Sequence, residues 1–184
     1  MRLFTGLVLC ASLAAGQSLS GRRAPSFSLP DSTITQHDIL DYRGKWLLLD
    51  FMKTDCPHCA ALSKTLEQIK MQFGPKVGIL SVVISPPEST TTIARYILDN
   101  KLTATFVFDQ GQVATAYFKM TPAHPSFDTP HLFVINPAGT IAQDWGYADS
   151  TTEILEGPGL ARELQALMAG GATAPVQKQK QQQK

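Results

Sequence analysis

An α/β domain built on a mixed β-sheet is what this sequence predicts, and three observations carry the prediction. Short, continuous apolar runs at 46–52 and 77–85, with a shorter one at 103–109, have the length of buried strands. Between and after them lie runs whose apolar residues recur at helical spacing, so strands alternate with helices. A strand–turn–strand block at 131–147 and a final amphipathic run then close the chain, giving a mixed sheet flanked by helices.

Each element has a local reason. The opening "APSFSLPDSTITQHDILDYRGK" (24–45) carries Pro and Asp turn signals with weak alternation, which reads as extra N-terminal strands joined by a turn. "WLLLDFM" (46–52) is apolar except for Asp50 and predicts a buried strand. "CPHCAALSKTLEQIKMQF" places Leu62, Leu66, Ile69 and Phe73 on one helical face, and Gly74-Pro75 stops the helix. Pro57 falls in the first turn, where a missing N–H is harmless. "VGILSVVIS" is a second buried strand. Pro86-Pro87 and the Ser/Thr cluster after it form a loop and an N-cap for a helix over 91–102. "TATFVFD" is a strand, "GQVATAYF" a short helix, and "KMTPAHPSFDTP" a Pro-rich loop. Asn136-Pro137-Ala138-Gly139 turns a hairpin, and "GPGLARELQALMA" is a helix with Leu160, Leu164 and Leu167 on one face.

The ends read differently. Arg2, the apolar "LFTGLVLCASLAA" and Ala14-Ala15-Gly16 make residues 1–16 a secretory signal peptide, with Cys10 a passenger in it. The apolar run falls short of the roughly 20 residues that a transmembrane helix needs. If uncleaved, it would act as a membrane tether. Residues 17–23 read as a leader, 24–169 as the domain, and 170–184 as a disordered tail without apolar periodicity.

Hydrophobic residues at 43% and charged ones at 17% are globular composition. A formal net charge of +1 with no basic patch argues against nucleic acid as a partner.

The chemistry concentrates at Cys56 and Cys59, which flank Pro57-His58. After the signal they are the only cysteines. Haem attachment needs His directly after the second cysteine, where this chain has Ala60. A structural zinc site needs about four ligands, and His37, His124 and His131 make no second ligand pair at finger-like spacing. Two intervening residues close too small a loop for a stabilising staple. A strand leading into C-x-x-C at a helix start matches a thioredoxin-like redox pair. The helix N-terminus lowers the pKa of Cys56, which attacks as thiolate, and Cys59 resolves the mixed disulfide. A copper-binding assembly chaperone using the same thiolates fits these residues too, since soft thiolates select Cu(I).

Beyond the cysteines, the stretch "APSFSLPDSTITQHDILDYRGKWLLLDFMKTDCPHC" and the later "FDTPHLFVINPAGTI" resemble, in order and spacing, the exported thioredoxin-fold oxidoreductases of the TlpA/ResA kind, within the AhpC/TSA–redoxin-like superfamily. The resemblance implies a thioredoxin-like fold and thiol–disulfide exchange with protein clients and a redox partner protein. It implies a periplasmic or otherwise extracytoplasmic location, a role in cytochrome c maturation, and no cofactor beyond the redox-active disulfide. It implies a cis bond at Thr129-Pro130 facing the cysteines, with the Thr129 backbone pairing with an extended client. It also makes Asp50 the counterpart of the buried acid of thioredoxin, a proton acceptor for Cys59.

Pro57-His58 would be the dipeptide that tunes the couple, with His58 acting as a cation beside the thiolate. Asp55, next to Cys56, opposes it. Met52 stands where the family has an aromatic, Asp55 where Trp is common, and the loop before Pro130 is long. A peroxiredoxin-like peroxidase is the neighbouring enzymatic alternative. Its P-x-x-x-T-x-x-C pocket is absent, because Thr54 is two residues before Cys56 and no Pro stands at the right offset.

Overall fold

The structure is a computed structural model and describes residues 19–170. The signal-peptide reading of 1–16, and the tail beyond Gly170, lie outside the described residues.

Strands β1 (Ser28–Pro30) and β2 (Gln36–Asp38) form a small antiparallel sheet. The main sheet contains β3 (Trp46–Met52), β4 (Val77–Ile84), β5 (Thr105–Asp109), β6 (His131–Ile135) and β7 (Ile141–Gly146) in the order β5-β4-β3-β6-β7. Pairs β3–β4 and β4–β5 are parallel; β3–β6 and β6–β7 are antiparallel. The helices are α1 (Pro57–Phe73), α2 (Thr90–Asn100), α3 (Gln112–Phe118), α4 (Thr152–Leu155) and α5 (Gly159–Met168). This is the expected mixed sheet flanked by helices, with extra N-terminal strands. Among the described residues, no helix is long and apolar enough to cross a membrane.

The continuous apolar run of β3 follows from its central place, since both of its faces are covered. Successive side chains point to opposite faces. Leu47, Leu49 and Phe51 enter a core with Phe27, Tyr117 and Phe133, while Leu48 packs with Leu62, Leu66, Leu160 and Leu164. Met52 closes a third cluster with Cys59, Val83 and Tyr96. Asp50 shares the face of Leu48 and Met52, so its carboxylate points to the helix side of the sheet.

The hairpin turns as expected: Gly139 has φ +81° and donates to the Asn136 carbonyl at 2.8 Å. Ser89 caps α2 with a reciprocal Thr92 bond. Residues 19–23, read as a leader, are held to the domain. The Gly21 N–H donates to the Ile141 carbonyl at 2.8 Å, the Ile141 N–H donates to the Arg22 carbonyl at 2.9 Å, and the Leu19 N–H donates to the Asp144 carboxylate at 2.8 Å. Four-residue α4 has no counterpart in the sequence reading, being too short to show a helical period.

Candidate active site

The disulfide sits where β3 hands over to α1. Cys56 is the N-cap of α1, with extended backbone, and Pro57 occupies the first turn. The 17-residue helix has no acidic residue in its first turn. Its dipole and free N–H groups therefore act on Cys56 unopposed from within the helix. The Cys59 N–H points at Cys56 Sγ at 3.1 Å, a bond that strengthens when the sulfur is an anion. Cys56 and Cys59 are joined as a disulfide with their Cα atoms 5.2 Å apart. Cys56 is half-buried and Cys59 fully buried, so only the first sulfur is open to attack from outside.

Thr129 and Pro130 arrive from the loop before β6. The Thr129–Pro130 bond is cis, and the Thr129 carbonyl oxygen lies 3.8 Å from Cys56 Sγ. In the disulfide that sulfur has no proton to donate; only the reduced thiol could use the contact as a hydrogen bond. The Pro130 carbonyl accepts from the Tyr147 N–H at 3.2 Å.

Two wholly buried aspartates show different designs. Asp109 accepts the N–H groups of Val113 and Ala114 and so caps α3 with both oxygens. Asp50 has one long bond, from the Ser81 hydroxyl to Oδ2 at 3.4 Å, and its Oδ1 has no partner among the described residues. Burial raises its pKa to about 7, against the lowering effect of the Ser81 bond. A carboxyl poised near neutrality, buried on this face of the sheet, can exchange a proton at working pH.

Sequence reasoning missed Glu88. It follows Pro86-Pro87 in a polar loop, where an acid reads as solvated, yet only 6% of it is exposed. Its carboxylate accepts the Thr54 N–H at 2.7 Å, the Thr54 hydroxyl at 2.9 Å and the Thr92 hydroxyl at 2.6 Å. It thereby fixes the turn that delivers Cys56. Glu88→Ala strands the Thr54 N–H and should lower unfolding stability by roughly 2–3 kcal/mol, the cost of a lost charge-assisted bond in a buried setting. Glu88→Gln, which keeps one acceptor, should lose less; denaturant titration of both variants checks the order. Near Glu88, Tyr96 shares a 2.9 Å hydroxyl–hydroxyl bond with Ser63. Burial, aided by the charges of Asp50 and Glu88, raises its pKa to about 12.

His58 does sit beside the cysteines, half exposed, but its ring is engaged: Nδ1 lies 2.6 Å from Glu156 Oε1 and the ring stacks on Tyr147. Asp55 is exposed. Thus Cys56, Cys59, Pro57, His58, Thr129 and Pro130 converge, with Asp50 on the sheet below. Among the described residues, no group of three or more His, Cys, Asp or Glu side chains could hold a metal ion.

Comparison with known proteins matches residues 20–144 to the model of the AhpC/TSA family. Among curated proteins, the thioredoxin-like protein YneN of Bacillus subtilis is 24% identical over 122 residues, 66% of this chain and 68% of YneN. The thiol-disulfide oxidoreductase ResA of Geobacillus kaustophilus is 28% identical over 124 residues, 67% of each chain. Among solved structures, a Chlorobium tepidum protein assigned as the thiol:disulfide interchange protein DsbE superposes with a TM-score of 0.63 at 23% identity, covering 82% of this chain and 96% of its own. At that identity the structural match speaks for the fold, and it is the thioredoxin-like fold that the motifs imply.

Proposed function

This chain belongs to the AhpC/TSA family, and from that membership and its thioredoxin-like thiol–disulfide oxidoreductase fold and cysteine pair we propose that it exchanges the Cys56–Cys59 disulfide with protein clients outside the cytoplasm. The observation that carries the reading is the division of labour at the disulfide: an accessible Cys56 at a helix N-terminus and a fully buried Cys59 one turn in.

In the reducing direction, the Cys56 thiolate attacks a client disulfide. A Cys56–client bond forms and the client's other sulfur leaves as thiolate. Cys59, its proton passed to Asp50, attacks Cys56 Sγ, closing the Cys56–Cys59 disulfide and releasing the client's second thiolate. Two electrons pass to the client, and its thiolates take up the protons given up by the protein. Oxidation of a client runs the same steps backwards. The carbonyl of Thr129 beside Cys56 supports a role for the Thr129 backbone in aligning an extended client segment, with Pro130 completing that wall.

Export rests on the signal-like sequence of 1–16, and an exported cysteine pair can be held oxidised. The TlpA/ResA-type motifs alone extend the proposal to clients in cytochrome c maturation. A peroxidase role within the same family finds less support, because the Thr54 hydroxyl is bound to Glu88 instead of being free for a peroxide. A copper chaperone would use the same thiolates and is separated by metal titration of the reduced protein.

The test is stoichiometric exchange with a disulfide-bonded peptide. Reduced protein should yield peptide dithiol and the Cys56–Cys59 disulfide in equal amounts. A peptide that stays oxidised while Cu(I) binds the reduced pair tightly would replace this reading with the chaperone.

A further inference from the structure

The imidazole between the two cysteines is held by residues that no motif connects to it. Besides the 2.6 Å contact with Glu156, its ring stacks on Tyr147 with centroids 3.9 Å apart and planes 27° from parallel. An ionised carboxylate only accepts, so Nδ1 carries a proton even in the neutral ring, and the second proton enters at Nε2.

Both partners are firmly placed. Glu156 is the C-cap of α4, its N–H bonded to the Thr152 carbonyl at 2.8 Å, directly after fully buried Leu155. The Thr151 hydroxyl reaches the Gly146 and Ala148 carbonyls, fixing the turn that carries Tyr147. Tyr147 in turn bonds the Pro130 carbonyl. The 146–156 segment therefore touches the disulfide's surroundings on two sides, at His58 and at Pro130.

We propose that Glu156 is a positioning residue that sets the redox poise of the Cys56–Cys59 couple, by fixing the His58 ring and cancelling the charge of its imidazolium. The proposal rests on the thiol-exchange reading above. An imidazolium next to Cys56 favours the thiolate. With Glu156 in contact, protonation of His58 takes the pair from one negative charge to none, and Cys56 never faces an uncompensated cation from this source. Other charged groups nearby in sequence or on packed segments do not replace this partner. Lys53 and Asp55 lie exposed on the preceding turn and Asp128 on the loop before Pro130; on the 146–156 segment, Asp149 is exposed and Glu153 pairs with Arg162 at 2.9 Å. Among the described residues, Glu156 is the ion-pair partner of His58.

The experiment follows thiolate ultraviolet absorbance of Cys56 against pH in reduced wild type, Glu156→Gln, His58→Val and the double variant. Glutamine keeps an acceptor for Nδ1–H and removes only the charge. Glu156→Gln should strengthen the Cys56 acid constant by about tenfold, and the couple should become correspondingly easier to reduce, about 30 mV per tenfold. His58→Val should shift both the other way, and the double variant should return close to wild type. An unchanged or weakened acid constant in Glu156→Gln overturns the proposal, as do single variants that shift in the same direction, the mark of lost packing alone. Peptide exchange by the wild type is read separately: its absence would remove the thiol-exchange reading, whatever the titrations show.

Discussion

Cys59→Ser is expected to stop exchange after half a cycle and leave clients covalently attached through Cys56, whereas Cys56→Ser should capture none. Cys56 is the sulfur a client can reach, and the Cys59 N–H at 3.1 Å together with the start of α1 favours its thiolate. The mixed disulfide is normally released by the second sulfur. Cys59 is placed for that attack, already bonded to Cys56 in the oxidised state and shut off from solvent. Serine at 59 also buries a hydroxyl in the cluster of Met52, Val83 and Ile93, which costs about 1–3 kcal/mol if it finds no partner. Cys59→Ala avoids that cost and should trap equally well, separating chemistry from folding. Non-reducing electrophoresis with peptide mapping gives the answer. Adducts on Cys59 in Cys56→Ser at the same yield would reverse the assignment.

Asp50→Asn is expected to stabilise the protein in a pH-dependent way while slowing exchange near neutrality. In the unfolded chain the carboxyl ionises near its ordinary value of 3.8; in the fold, burial holds it protonated to about 7. The folded state thus binds the proton more tightly, and its stability falls as pH rises between these two values. Above about pH 7 the loss levels off, at about 4 kcal/mol on the scale of 1.36 kcal/mol per unit. Asparagine removes this dependence. The stability difference between variant and wild type should be small at pH 4, grow through pH 6, and flatten by pH 8. Parallel stability curves would show that Asp50 does not titrate as described. The kinetic half tests the proposed proton transfer: if Asp50 takes the Cys59 proton, resolution in the variant slows most where Asp50 is normally part-ionised.

The sequence exposes what is local and periodic. The apolar run of β3, the face of α1 and the hairpin turn around Gly139 are legible because each is set by neighbours within a few residues. Asp50 is legible for a related reason, as a charge inside an otherwise apolar strand. Glu88 is hidden because its partner Thr54 lies 34 positions away and its own neighbourhood is polar. His58 and Glu156 are 98 positions apart, so sequence reading gives an isolated cation where the fold builds an ion pair. The attachment of residues 19–23 rests on backbone bonds to Ile141 at the start of β7, on the Leu19 N–H to Asp144 and on the Arg22 guanidinium to the Tyr117 carbonyl, partners 95 or more positions away that leave no local pattern.

All of this depends on Cys56 and Cys59 being one reversible couple. The measurement that bears on it most directly is equilibration of the protein with glutathione over a range of reduced-to-oxidised ratios, with thiol content read by mass after acid quenching. The account predicts a single two-electron transition between a dithiol and an internal disulfide, with no lasting glutathione adduct. A pair that stays in one state across the range, or that accumulates glutathione on one cysteine without closing the internal bond, would contradict it.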